Sequence, residues 1–272
     1  MSRSAADRAL STAVEAIMRD AAARAILPRY QSLSAHQIED KAADDVVTVA
    51  DTEAETILAE GLACLLPEAT IVGEEAAHAD PAVLDRLNDA SCWIIDPLDG
   101  TNNFAKGRPP FGVMVALSQY GEAVAGWILD PLSGRLCHAV KGGGAYVDGE
   151  RIEARATGQT PPIAGISLMF VDPARRQAMA QHIAPHYGLV DIPRCAAEQY
   201  PRLVLGVNDV SVFERTLAWD HAAGALFVNE AGGKVARPDG SPYRVDEHLR
   251  PGLIGAASPR LWDELAARLD QL

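Results

Sequence analysis

Apolar residues recur at helical spacing near the start of the chain. Between residues 5 and 27, Leu10, Val14, Ile17 and Ala21 fall on one stripe with Arg and Asp opposite, a pattern that predicts an amphipathic helix laid over a core. A second helix is predicted over residues 52–66, where Ile57, Leu58, Leu62 and Leu65 supply the apolar face, Pro67 ends it and Asp51 stands at its start. The period then shortens. Two brief apolar runs, residues 70–72 and 93–95, lead into acid: Glu74 and Glu75 after the first, Asp96 after the second. Strands that deliver carboxylates from their ends suit the rim of an active site.

From Phe111 to Ile152 apolar runs alternate with turns, as expected of an antiparallel meander in which Asp148-Gly149 marks a hairpin. After about Glu153 shorter strands (ISLMF, GLVDI, VSVFE, GGKVA) alternate with helices predicted over residues 173–186, 196–205, 220–230 and 259–269. This change of pattern predicts an α/β protein in two parts, residues 1–153 and 154–272, with no internal repeat and no low-complexity linker.

Composition narrows the function. At 272 residues, 48% hydrophobic and 22% charged, the chain is an ordinary globular one. The net charge of −13, with no long block of Lys or Arg, argues against binding a nucleic-acid polymer. Charges interrupt the first twenty residues and no stretch reaches membrane-spanning length, so the expectation is a cytoplasmic protein without a membrane role. Cys64, Cys92, Cys137 and Cys195 form no CxxC pair and are expected to be buried small hydrophobes in a reducing compartment.

The most informative stretch is WIIDPLDGTNNF, residues 93–104. Asp96 and Asp99 stand three apart across a turn that Pro97 favours, with the Leu98 carbonyl between them, and three hard oxygen donors within four residues suit Mg²⁺. Gly100 lets the backbone approach a ligand, and the Gly100 and Thr101 amides fall where a helix can begin, a place for an anion. The same residues also suit a plain surface turn. An EF-hand is excluded because Gly107 stands where its glutamate belongs, and an aspartyl-phosphate enzyme is expected to have its two aspartates one residue closer together. Further acids lie in Val72-Gly-Glu-Glu75 and in WDHAAG, residues 219–224. Asp220 and Asp51 each also read as helix N-caps. Taken together the segments supply what a cation cluster that activates water needs, carboxylates from separated parts of the chain.

WIIDPLDGTNNF and WDHAAG, in this order and far apart, resemble the two signatures of the inositol monophosphatase family, and the GEE turn and Val47-Thr48-Val-Ala-Asp51 fit as well. The resemblance implies the sugar-phosphatase fold, an αβαβα layered sandwich with an antiparallel N-terminal sheet and a smaller mixed C-terminal sheet. It implies hydrolysis of a small phosphate monoester, an inositol-phosphate-like polyol or sugar phosphate, by water activated by Mg²⁺. By similarity Glu74, Asp96 and the Leu98 carbonyl would hold one ion, and Asp96, Asp99 and Asp220 a second, with a weaker third beside Glu74. Thr101, polarised by Asp51, would orient the water, Glu74 sharing in the catalytic set, while the Gly100 and Thr101 amides hold phosphate. Substitution by Mn²⁺, inhibition by Li⁺ or Ca²⁺, and a homodimer follow by the same analogy.

The chain departs from the family where substrate is read. Arg194-Cys195-Ala196-Ala197-Glu198-Gln199-Tyr200 replaces a run of small residues, and the segment from Glu214 to WDHAAG is one residue short. Glu198, Gln199, Tyr200, Glu214 and His221 are therefore the expected substrate-selecting wall, and His221 also invites a general-acid role, though a supporting position suits it better. Arg194, Arg202 and Arg215 are candidates for binding a second anion. A 3′(2′),5′-bisphosphate nucleotidase or a histidinol-phosphate phosphatase is the alternative enzyme. A catalytically silent metal-binding scaffold is the alternative of another class.

Overall fold

The apolar stripe of the first helix does what its spacing predicts: Val14, Met18 and Ala21 are fully buried. The computed structural model describes residues 3–34, 37–42, 45–168 and 171–272. Helix α1 (Arg3–Ala21) runs on through a π-helical turn, Ala22–Ile26, and packs beside α2 (Val49–Leu65). Between the two helices a hairpin of β1 (Ile38–Ala42) and β2 (Asp45–Thr48), which hydropathy alone did not predict, brings the chain to the start of α2.

The main sheet has seven strands in sequential order: β3 (Thr70–Gly73), β4 (Cys92–Asp99), β5 (Gly112–Gln119), β6 (Glu122–Leu129), β7 (Leu136–Val140), β8 (Gly144–Val147) and β9 (Glu150–Ile152). It is an antiparallel meander from β4 onward, and Asp148 and Gly149 adopt positive φ at the last hairpin. The first pair differs from the expected antiparallel sheet: β3 and β4 are parallel, because α3 (Glu74–Ala79) and a helical turn over Pro81–Asn88 carry the chain back between them.

A second, five-stranded sheet has the order β11-β10-β12-β14-β13, from β10 (Ile163–Ile166), β11 (Gly188–Leu189), β12 (Val210–Phe213), β13 (Lys234–Ala236) and β14 (Leu253–Ala256). Parallel and antiparallel neighbours mix in it. The expected ISLMF strand covers only its first residue, and Met169 and Phe170 lie outside the described residues. The remaining helices are α4 (Thr101–Ala105), α5 (Pro173–His182), α6 (Ala196–Val204), α7 (Ala218–Glu230) and α8 (Pro259–Leu269).

Alternation of side chains sorts these elements into layers. On one face of the main sheet Trp93, Ile95, Val113, Val115 and Trp127 meet α1 and α2. On the other Ile94, Met114, Ala116 and Ile128 meet α6 and α7, which also receive Phe213 and Leu253 from the second sheet. The outer face of that sheet, Val210, Val212, Ile254 and Ala256, is covered by α5 and α8. Five layers, αβαβα, result. No helix among the described residues is long and apolar enough to cross a membrane. Cys92, Cys137 and Cys195 are buried as expected, but Cys64 is exposed, since it falls on the outer side of α2.

Candidate active site

The parallel pairing of β3 and β4 runs both strands the same way: Gly73 sits opposite Ile95, so Glu74, just past the end of β3, and Asp96, the next residue of β4, lie at the same end of the pair. An antiparallel pair would have sent them to opposite ends. Ile94 faces the α6/α7 layer, and Asp96, two residues on, takes the same side. The expected turn at Pro97 is instead a bulged continuation of β4. Between the pairs Asp96↔Met114 and Asp99↔Gly112, β4 spends one residue more than β5. In a regular strand residues three apart face opposite ways; the extra residue cancels that alternation and returns Asp99 to the side of Asp96. Proline fits there because β3 has already ended and no neighbour needs its missing N–H. The Asp96 carboxylate accepts the Leu98 amide at 3.1 Å.

At Gly100 the chain turns into α4 with φ of +84°, and a Cβ there would lie 2.9 Å from the Pro110 carbonyl oxygen. The residue must be glycine on both counts. Thr101 opens α4, and its hydroxyl reaches Asp51 Oδ1 at 3.0 Å and the Leu98 carbonyl at 2.8 Å. Asp51 is not the N-cap of α2. Thr48 is, and Asp51 closes a capping box in which its Oδ2 accepts the Thr48 amide at 2.8 Å and the Thr48 hydroxyl at 2.6 Å. One oxygen thus secures a helix and the other addresses Thr101.

Glu55, one turn along α2 and not singled out from sequence, accepts the Glu75 and Ala76 amides at 2.8 Å each. It thereby fixes the start of α3, and with it the backbone of Glu74. Its reach depends on Gly73, where a Cβ would lie 2.3 Å from the Glu55 carboxyl carbon.

The second half of the chain closes the cluster. Asp220 is the third residue of α7, whose N-cap is Leu217, so the N-cap reading of Asp220 does not hold. One carboxylate oxygen from each of Asp96, Asp99 and Asp220 lies within 4.8 Å of the other two. Asp99 Oδ2 accepts the Ala197 amide at the start of α6 at 2.6 Å. Arg215 Nη2 stands 3.7 Å from Asp220 Oδ2. Glu74 lies outside the triad of close oxygens, but its charge is the largest ionic influence on Asp96.

Burial, then repulsion from Glu74, Asp99 and Asp220, holds the Asp96 carboxyl well above the usual range. Burial raises Asp99 too, against the stabilising Ala197 amide. Burial lifts Asp51 from 3.8 to about 7, opposed by its bonds to Thr48 and Thr101. Converging carboxylates that repel one another are hard oxygen donors, a cluster that could hold a metal ion.

Three of the expected wall residues are instead interior. Gln199 donates to the Gly165 carbonyl and the Ser211 hydroxyl at 3.0 Å each. The Tyr200 hydroxyl lies 2.6 Å from His221 Nδ1, and His221 Nε2 lies 2.9 Å from the Arg215 carbonyl. A carbonyl only accepts, so Nε2 carries the proton and Nδ1 takes the Tyr200 hydrogen. Burial drives the His221 pKa down to about 3, and with both nitrogens engaged this neutral ring is no general acid. The three residues turn inward because they sit on the apolar faces by which α6 and α7 pack. Glu198 remains half-buried, bridging Arg135 at 2.7 Å and Arg202 at 2.9 Å. Glu214 is also half-buried, and its carbonyl accepts the Gly252 amide at 2.9 Å.

The profile of the Inositol monophosphatase family matches residues 6–272. Inositol-1-monophosphatase of Mycobacterium leprae (strain TN) is 35% identical over 236 residues, 84% of this chain and 79% of that one. Nus factor SuhB of Vibrio cholerae is 31% identical over 231 residues, 82% of each. Among solved structures, extragenic suppressor protein suhB from Bartonella henselae superposes with a TM-score of 0.81 at 26% identity, covering 97% of this chain and 99% of that one. With both signatures on one acidic cluster and a matching fold over nearly its whole length, the chain belongs to the inositol monophosphatase family and is, with it, a phosphoric monoester hydrolase.

Proposed function

We propose that the chain hydrolyses a small polyol or sugar phosphate, of the inositol phosphate kind, with Mg²⁺ held by Glu74, Asp96, Asp99, Asp220 and the Leu98 carbonyl. The observation that carries this reading is the convergence of Asp96, Asp99 and Asp220 within 4.8 Å beside the bonded pair Thr101 and Asp51. When bound, Mg²⁺ supplies charge that polarises the phosphoryl group, acidifies the attacking water and offsets the charge of the departing alkoxide.

The chain's own residues do the rest. Ionised Asp51 takes the Thr101 hydroxyl proton in a hydrogen bond, which leaves the Thr101 oxygen lone pairs to accept from a water and orient it. Glu74, at the start of α3, completes the catalytic set. By analogy with the family the Gly100 and Thr101 amides are read as phosphate donors, at the turn where left-handed Gly100 opens α4. Residues 1–153 carry most of the ligands and residues 154–272 contribute Asp220. With Gln199, Tyr200 and His221 turned inward, Glu198 and Glu214 are what remains of the expected substrate wall. By analogy with the family we also read the protein as a cytoplasmic homodimer that accepts Mn²⁺ and is inhibited by Li⁺ or Ca²⁺.

A phosphate-release assay over inositol, fructose, histidinol and nucleotide esters with Mg²⁺ tests the assignment. The parent is expected to hydrolyse a polyol or sugar ester, and Asp99→Asn to lose at least about a hundredfold. Unchanged turnover in the variant removes Asp99 from the site, and preference for a nucleotide or histidinol ester moves the substrate.

A further inference from the structure

Arg237 follows β13 and is fully buried, yet its guanidinium is spent on neutral oxygens. Nη1 reaches the Thr216 hydroxyl at 3.1 Å and the Arg250 and Gly252 carbonyls at 2.5 and 3.1 Å, and Nη2 donates to the Glu247 carbonyl at 3.0 Å. Burying a guanidinium without a carboxylate partner is costly, and an apolar side chain of similar length would fill the space more cheaply. What the charge secures is one short segment. The Thr216 hydroxyl, while accepting from Arg237, donates to the Arg250 carbonyl at 2.7 Å. The Tyr243 hydroxyl, on a ring whose centroid lies 5.1 Å from the Arg237 guanidinium carbon, donates towards the Thr216 and Leu217 carbonyls at 3.3 and 3.4 Å. His221 holds the Arg215 carbonyl. Residues 215–217 are therefore gripped at every carbonyl and at the one hydroxyl.

That segment leads directly into α7, three residues before Asp220. Helix α7 (N-cap Leu217) has no side-chain cap, so its first turn leans on this segment. We propose that Arg237 is a positioning residue: through Thr216 and Tyr243 it sets the first turn of α7, and so places Asp220 for the cation shared with Asp96 and Asp99. The inference rests on the metal reading given above and extends it to groups that touch neither cation nor substrate. Outer partners of this kind are worth about 10–100-fold in metal affinity.

The test is calorimetric titration of Mg²⁺ into the full-length protein and its Arg237→Met and Thr216→Val variants, with thermal unfolding of each. Trp262→Phe serves as the control. It removes a bond to the Ile254 carbonyl in the core under α8, which lowers stability on the far side of the second sheet. Both clamp variants are expected to weaken Mg²⁺ binding about tenfold while turnover at saturating Mg²⁺ stays within about threefold of the parent. The control is expected to lose melting temperature and keep its Mg²⁺ affinity. Should Arg237→Met fail to fold, Thr216→Val, which keeps shape and loses one hydroxyl, carries the same expectation. Clamp variants that melt lower but bind Mg²⁺ within about twofold of the parent overturn the proposal. A parent protein that binds no Mg²⁺ overturns the metal reading on which it stands.

Discussion

Asp51 divides its carboxylate between two tasks, one oxygen for the Thr48 capping box and one for the Thr101 hydroxyl. Asparagine can keep the first task, since its carbonyl accepts from Thr48, but its amide would then donate to Thr101, occupying an oxygen lone pair needed for the water and turning the hydroxyl proton to the Leu98 carbonyl alone. Asp51→Asn is therefore expected to lower kcat about a hundredfold, with Mg²⁺ affinity and melting temperature close to those of the parent. Steady-state rates across a Mg²⁺ series and a thermal melt check it. Much of this site was legible in sequence, because carboxylates beside Gly, Pro and Thr at short spacing leave few other uses. The capping part of Asp51 was misplaced: the sequence reads it as the N-cap, whereas Thr48 holds that place and Asp51 stands at the third helical position. The inward turn of Gln199, Tyr200 and His221 was not legible, because a polar residue within a helix does not announce which face meets the core.

At the scale of elements, the parallel approach of β3 and β4 gathers Glu74 and Asp96, and the Glu55 carboxylate fixes where α3 starts. Gly73→Ala drives a Cβ into that carboxylate. The expected cost is about 1–3 kcal/mol in denaturant unfolding, together with a raised Mg²⁺ requirement for turnover, and parent-like behaviour in both would show that Glu55 can give way. Helices and meander were readable from period and turn residues. The bulge was not: Asp-Pro-Leu-Asp-Gly has the composition of a turn, and only pairing with β5 shows that the strand continues through it. The β1–β2 hairpin escaped for a related reason, since IEDKA and DVVT carry too few apolar residues to set a period.

For the whole molecule, the acidic cluster makes stability depend on pH. Asp51 and Asp96 bind protons more tightly folded than unfolded, so the folded state is favoured at acidic pH. The contribution of Asp51 is lost as pH rises from about 4 towards 7. In a chelator the melting temperature is expected to fall by something on the order of 5–10 °C between about pH 5 and 8, and saturating Mg²⁺ to remove most of that slope. A flat profile without metal would mean that these carboxylates are better solvated than their surroundings indicate. The order of layers entered with the family resemblance, but the sharing of α6 and α7 between both sheets was not legible, because amphipathicity reports how much of a helix is apolar rather than how many neighbours claim it. That sharing has a further consequence. Asp99 accepts the amide of Ala197, nearly a hundred residues later, and Asp220 joins from α7, later still in the chain. Asp96 and Asp99 thus meet Asp220 only after more than a hundred intervening residues have folded back, so neither stretch holds the three close carboxylates by itself.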